Sequence, residues 1–464
     1  MKATARRTTA LAGLTAALLA GPLAVAAVAA AATATITLNG TGASVSGSNV
    51  TVAGSAVTIT APGSYEIRGT LNNGYVRVDS AVTGTVELVL AGASITNSTS
   101  SPLYVTRASA VTVTLAAGTS NNLTDATTYT NSGEPDSALF SAADLTIGGT
   151  GSLTVRANHA DGIVSKDDLV IQSGTITVNA VDDAIRGKDS LTVNGGTINV
   201  TSSGGDGLKS NDTEAGKGVL TITNGTITAS VADDAIKGEN VLDISGGTIN
   251  VTRSYEALEG LQTTISGGNI TVVASDDAVN AAEEGLGEME PSAIAFIKVT
   301  GGTVVATGGT DGFDSNGSLT FAGGTVVARG SSTRGGGEGA IDADGPIAFT
   351  GGTVVGAALT SLAVFRAVPN TGQGWVAPRF NANLAANTIV HVVSGSTVLA
   401  SYRTSATVRE VVFSSNRITN GQRYDIYTGG SVSGTNVGGL YTGGSITGAT
   451  RVLTGVTAGK YGRF

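Results

Sequence analysis

The chain has 464 residues, 67 of them glycine, with no cysteine, 4% aromatic residues and a formal net charge of −9. The missing cysteine excludes disulfides, thiolate metal sites and cysteine nucleophiles. The acidic balance argues against nucleic acid or an anionic membrane as partner, because both repel a negative surface. So many glycines beside so few bulky side chains suit short strands filled by Ile, Val, Leu and Ala between frequent turns.

In chain order, Lys2, Arg6 and Arg7 precede an apolar Ala/Leu run that ends in small residues near Ala30 to Ala32. This is the pattern of a signal peptide over residues 1–32. An uncleaved anchor is the alternative, disfavoured because no basic stop-transfer cluster follows. The Arg6-Arg7 pair leaves general and twin-arginine export both open. Removal of the segment leaves 23 basic against 35 acidic residues, a net charge of −12. The mature chain is expected to be secreted and monomeric, with no membrane span.

Residues 33–150 hold β-type segments at Val50 to Ile59, Thr85 to Leu90 and Val111 to Leu115, with turns at Asn72-Asn73-Gly74 and Gly92. They are expected to form an N-terminal cap and the first irregular coils. Over 151–360 a step of Gly, Thr and Ile or Val recurs: Gly174-Thr175-Ile176, Gly196-Thr197-Ile198, Gly225-Thr226-Ile227, Gly247-Thr248-Ile249, Gly268-Asn269-Ile270, Gly302-Thr303-Val304, Gly324-Thr325-Val326 and Gly352-Thr353-Val354. The spacings are 22, 29, 22, 21, 34, 22 and 28, which reads as one coil of about 22 residues with loops inserted at some turns.

Within a coil, period-2 alternation points Ile185, Leu191, Val193, Ile198 and Val200 inward. Three short strands per coil with no helix between them predict an all-β, right-handed parallel β-helix with three faces. A leucine-rich repeat is excluded by the absence of a regular Leu/Asn frame. Residues 361–464, where Trp375, Tyr402, Tyr424, Tyr427, Tyr441 and Tyr461 appear, are expected to be a C-terminal β cap or small β domain over the last coil, with these aromatics as its core.

A second repeat carries the chemistry. Ahead of the first strand of successive coils stand Asp161, Asp183, Asp206, Asp234, Glu256, Asp277 and Asp311, and in three coils another acid precedes, Asp182, Asp233 and Asp276. Equivalent residues of adjacent coils lie about 4.8 Å apart, so the acids form a ladder along one edge. Two unit charges about 4 Å apart repel by roughly 1 kcal/mol in water and about 4 kcal/mol at an effective dielectric of 20, so something must offset the row. Calcium is one candidate, with its 6–8 oxygen ligands and irregular geometry. Ion pairing with Arg186, Lys209 and Lys237, three residues beyond the acids, is the other.

Stretches such as Asp182-Asp183-Ala184-Ile185-Arg186-Gly187, Asp206-Gly207-Leu208-Lys209 and Asp233-Asp234-Ala235-Ile236-Lys237-Gly238, with the opening Gly63-Ser64-Tyr65-Glu66-Ile67, resemble the secreted bacterial family of carbohydrate-binding domain-containing β-helix proteins. The resemblance implies binding of cellulose and of acidic polysaccharide such as polygalacturonate, calcium on the β-helix, and a fold like that of calcium-dependent pectate lyases. The repeated motif maps onto Asp182, Asp183, Asp233, Asp234, Asp276 and Asp277, with single acids at Asp161, Asp206, Asp311 and Glu256. Some coils depart from it. Gly339 takes the acid position of the last coil, with Glu338 before it, and the residue three beyond the acid becomes Glu259, Asn280, Asp314 and Asp342.

Net charge bears on the ligand as well, since so acidic a protein holds a polyuronate only through bridging cations or a basic strip, here Arg186, Lys209 and Lys237. Two other classes stay open. A calcium-dependent pectate lyase would use Lys209 or Lys237 as base, although a repeated basic position is how structural pairing looks. A surface adhesin would show no calcium-dependent sugar affinity. His159, beside the ladder, reads as a solvated turn residue and His391 as a β residue without acid partners. The acidic stretch Glu283, Glu284, Glu288 and Glu290 reads as a solvated insertion.

Overall fold

The computed structural model describes residues 32–283, 285–286, 290–331, 339–359 and 371–461; the expected signal peptide, Glu284, Glu288, Glu338 and the onset of the C-terminal region near Ser361 lie outside them. Every regular element among the described residues is a β-strand. One full coil is Ile185–Gly187, Ser190–Val193 and Thr197–Ser202. Each strand pairs in parallel with its counterpart one coil away, Ile163 with Ile185 and then Leu208, Leu169 with Leu191 and then Leu220, and Ile176 with Ile198 and then Ile227. This is the three-faced parallel β-helix that the repeat predicts, and the Gly-Thr-Ile steps stack one on another along the third face through Thr353.

The alternation works because all these Ile, Leu and Val side chains are fully buried in one continuous core running the length of the stack. The glycine of each step is required by backbone geometry. Gly196 has φ 90°, and a Cβ there would stand 2.8 Å from the carbonyl oxygen of Gly174 in the coil before. Two of the insertions lie at the same corner, between the first and second strands: Ser210 to Val219 and Ala281 to Phe296.

Both ends of the stack are closed. Ala34–Gly40 pairs antiparallel with Ala43–Gly47 and parallel with Gly63–Leu71, so a hairpin covers the first edge. At the other end Val408–Ser414 runs antiparallel along the third-face part of Ile347–Ala358, and the sequence continues into a separate six-stranded antiparallel sheet. Of the aromatics expected as core, Trp375, Tyr402 and Tyr424 are buried, whereas Tyr427, Tyr441 and Tyr461 are only partly buried.

The third face records in its sequence where this sheet sits. Its outward row is polar at Thr177, Asn199, Thr228, Asn250 and Thr271 and turns to Val305, Val327 and Val355 in the last coils. Val327 and Val355 are buried in a second core with Val390, Val392, Tyr402 and Phe413. Val327→Thr keeps the shape but buries a hydroxyl, and is expected to destabilise the C-terminal part by about 1–3 kcal/mol. Thr271→Val, outside that core, is expected to be near neutral. Fluorescence of Trp375, the chain's one tryptophan, during denaturant unfolding reads both.

Candidate functional site

The acid row lies where the third strand of one coil turns into the first strand of the next. Its aspartates are buried and Glu256 half-buried, and a repeated backbone contact holds them there. The Asp183 N–H donates to Asp161 Oδ1 (3.1 Å), Asp206 N–H to Asp183 Oδ1 (3.0 Å), Asp234 N–H to Asp206 Oδ1 (2.8 Å), Glu256 N–H to Asp234 Oδ1 (3.3 Å) and Asp311 N–H to Asp277 Oδ1 (2.8 Å). Asp161, Asp183, Asp206, Asp234 and Asp277 thus cap the turn of the coil that follows, which fixes one oxygen of each. The preceding acids are placed differently: Asp182 and Asp233 are exposed and Asp276 half-buried.

The second oxygens meet a parallel row on the first face, in which Val164, Arg186, Lys209, Lys237, Glu259, Asn280 and Asp314 follow one another in register. In its first half the row is basic and matched to the acids. The Arg186 guanidinium bonds Asp161 Oδ2 and lies 3.6 Å from Asp183 Oδ2; Lys209 Nζ lies 2.6 Å from Asp206 and 3.5 Å from Asp183; Lys237 Nζ lies 3.0 Å from Asp234 and 2.5 Å from Glu259. These three cations are therefore engaged by the ladder itself.

From Glu259 onward the row supplies no base. Asn280 Nδ2 donates to both oxygens of Glu256, at 2.9 and 3.0 Å, while its own buried Oδ1 has no hydrogen-bond partner among the described residues. The carboxylates respond. Burial, and after it Asp314 and Asp311, pushes Asp277 up to about 8; burial and then Asp314 and Asp344 push Asp342 up to about 7. Beside Arg186 and Lys209, burial raises Asp161 only to about 6 because Arg186 opposes it, and Asp206 is likewise raised by burial against Lys209. Asp234, buried and facing Glu259, reaches about 7.

Carboxylate oxygens come within 4.8 Å of one another in three groups: Asp206, Asp233 and Asp234; Asp234, Glu256 and Glu259; and Asp311, Asp314 and Asp342. Calcium–oxygen distances of about 2.3–2.6 Å allow oxygens so spaced to share one ion. Lysine nitrogens already lie among the first two groups. The third gathers three carboxylates from two successive coils, with Asp277 one coil before. Asp314 and Asp342 were legible in the sequence as departures from the basic pattern, but nothing local marked them as partners of Asp311.

One further residue stands at this edge. Tyr255, just ahead of Glu256, is the exposed aromatic side chain among the described residues at 49% relative exposure, and a hydrogen bond to Asp276 raises its phenol to about 12. His159 stacks on Tyr129 with ring centroids 4.2 Å apart. His391 is buried between the Ser401 hydroxyl (2.8 Å) and the Gly429 carbonyl (2.9 Å), away from the acids.

A relative from Acetivibrio thermocellus, a carbohydrate-binding domain-containing protein, is 42% identical over 135 residues, which are 28% of this chain and 47% of the relative, so the chain spans about half the length of the relative it matches. A solved structure, the gadolinium derivative of a polysaccharide lyase-like protein from C. thermocellum, is similar at 37% identity and a TM-score of 0.46, over 47% of this chain and 90% of that one. A family model matches residues 53–312, more than half of the 464 and the whole run from Asp161 to Asp311. The chain belongs to the family of carbohydrate-binding domain-containing proteins.

Proposed function

We propose that the chain is a secreted protein that binds acidic plant cell-wall polysaccharide, such as polygalacturonate, through calcium held at the acidic end of the ladder. The observation that carries this reading is the change along the first face from Arg186, Lys209 and Lys237 to Glu259, Asp314 and Asp342, beside the buried carboxylates of Asp277 and Asp311. Calcium bound there would neutralise the crowded carboxylates and leave coordination positions for a uronate. Asp311, Asp314 and Asp342 would hold the ion, and Asp277 would orient Asp311 through its backbone N–H. Tyr255 offers an exposed ring face to the apolar side of a sugar.

Binding is favoured over lyase chemistry. A proton-abstracting base must be neutral, and although burial works against the charge on Lys209 and Lys237, the adjacent carboxylates raise the pKa of both ammonium groups.

Calorimetry of the mature chain with polygalacturonate, with calcium and then with chelator, under ultraviolet monitoring, tests the reading. Calcium-dependent heat without new absorbance supports it, rising absorbance makes the protein a lyase, and no binding in either condition overturns the acidic-sugar assignment. In the same assay Tyr255→Ala is expected to weaken binding by about 1 kcal/mol or roughly fivefold while leaving the melting temperature unchanged, as befits an exposed stacking residue.

A further inference from the structure

We infer that the cleft between the last coils and the C-terminal sheet is a second carbohydrate site, which takes a neutral mono- or disaccharide unit without a cation. A cavity of about 350 Å³ opens there, at the lower end of the roughly 300–1,000 Å³ typical of small-ligand pockets. Thr325 and Thr353 of the third face form its floor side, and Ser415, Arg417, Tyr441 and Thr442 of the C-terminal part face them. Every lining residue lies beyond residue 312, outside the segment matched by the family.

The chemistry of the lining selects the ligand. Among the described residues it contains no carboxylate to balance a metal ion or a cationic ligand, and the one charged residue among them is Arg417. That guanidinium is fixed by donating to the carbonyls of Leu399 (2.7 Å) and Val398 (3.0 Å), which hold it at the site as a planar fan of donors. Thr442 Oγ1 accepts from the Thr435 N–H (3.0 Å) and Ser415 Oγ from the Arg417 N–H (3.3 Å), so each hydroxyl retains its own hydrogen to donate. The Tyr441 ring, with Arg403 stacked 5.8 Å from its centroid, joins Leu399 and Val437 as an apolar wall. A hydroxyl rim against an apolar wall matches a pyranose, whose C–H face is apolar and whose edge is hydroxylated.

Thr325 and Thr353 also end a polar row, with Thr175, Thr197, Thr226, Thr248, Asn269 and Thr303 before them, that advances about 4.8 Å per coil along the third face. A glycan whose end enters the cavity has that row along its path. The acid ladder follows the opposite end of the third strand, about 15 Å away for a strand of this length, so the two sites are distinct.

The test is calorimetry of the mature chain with neutral disaccharides, cellobiose and maltose, in chelator, with polygalacturonate and calcium titrated into a parallel sample. Saturable millimolar binding in chelator is expected, weakened about tenfold by Thr353→Val combined with Thr442→Val and by Tyr441→Ala, and unchanged in Thr226→Val. Trp375 fluorescence confirms that each variant is folded. No saturable heat at tens of millimolar, equal loss in Thr226→Val, or loss of neutral-sugar binding on chelation overturns the inference. The polygalacturonate titration stands or falls separately, which keeps failure here distinct from failure of the calcium-dependent reading.

Discussion

Arg186→Leu is expected to destabilise the folded chain by about 3–5 kcal/mol, the cost of stranding the buried Asp161 carboxylate without its partner, while leaving calcium affinity intact. The Arg186 and Asp161 side chains are only 19% and 8% exposed, so solvent screens the pair weakly. Removing the guanidinium strips Asp161 of its cation while Asp183 keeps Lys209 at 3.5 Å, and both still hold their backbone contact with the next coil. Adding Asp161→Asn to the same chain removes the stranded charge but keeps an oxygen for the Asp183 N–H, and is expected to recover most of the loss. Denaturant unfolding measures the first effect and calcium titration the second. A parallel fall in calcium affinity would place the cation at the basic half and contradict its assignment to Asp311, Asp314 and Asp342.

In chelator, thermal stability is expected to fall as pH rises from about 4 to about 8, and calcium is expected to remove much of that fall. Asp277 and Asp342 release their protons near 3.8 when unfolded but hold them to about 8 and about 7 in the folded chain. Over that window the folded state binds more protons, so stability declines with pH. Asp161 and Asp234, raised to about 6 and about 7, add a decline of the same sign that calcium leaves in place. His391, lowered by burial from 6.5, acts oppositely: its contribution is complete above pH 6.5 and is lost as pH falls below that value. A ligand at about a hundred times its dissociation constant stabilises by about 2.7 kcal/mol. Melts across pH with and without calcium, repeated on Asp277→Asn with Asp342→Asn, check the assignment; a calcium effect that survives the double substitution would place the ion elsewhere.

The coil was legible because its signals are local and repeated. Glycine at a positive φ, threonine outward and isoleucine inward occur at fixed offsets, and the spacings 22, 29, 22, 21, 34, 22 and 28 convert directly into register. The acid row was legible for the same reason. What each acid touches was not: the pairing of Arg186 with Asp161 spans a coil boundary, and the grouping of Asp311, Asp314 and Asp342 depends on two coils meeting in register. The position of the C-terminal sheet was written in Val305, Val327 and Val355, but doubled valines carry meaning only once the outward row is known to be polar elsewhere. The cleft at Tyr441 draws on residues from Thr325 to Thr442, a span no local pattern can join.

The contact between successive acids has a consequence for how such a chain changes length. Asp161, Asp183 and Asp206 each serve the coil after them by the same contact, the next backbone N–H at the same corner. A duplicated or excised coil therefore arrives with its own cap already in place, and the two neighbours it joins or parts make the same bond as before. The solenoid is adjustable in steps of one coil, like a ruler cut at its own graduations, while the closing hairpin at one end and the sheet at the other remain as they are.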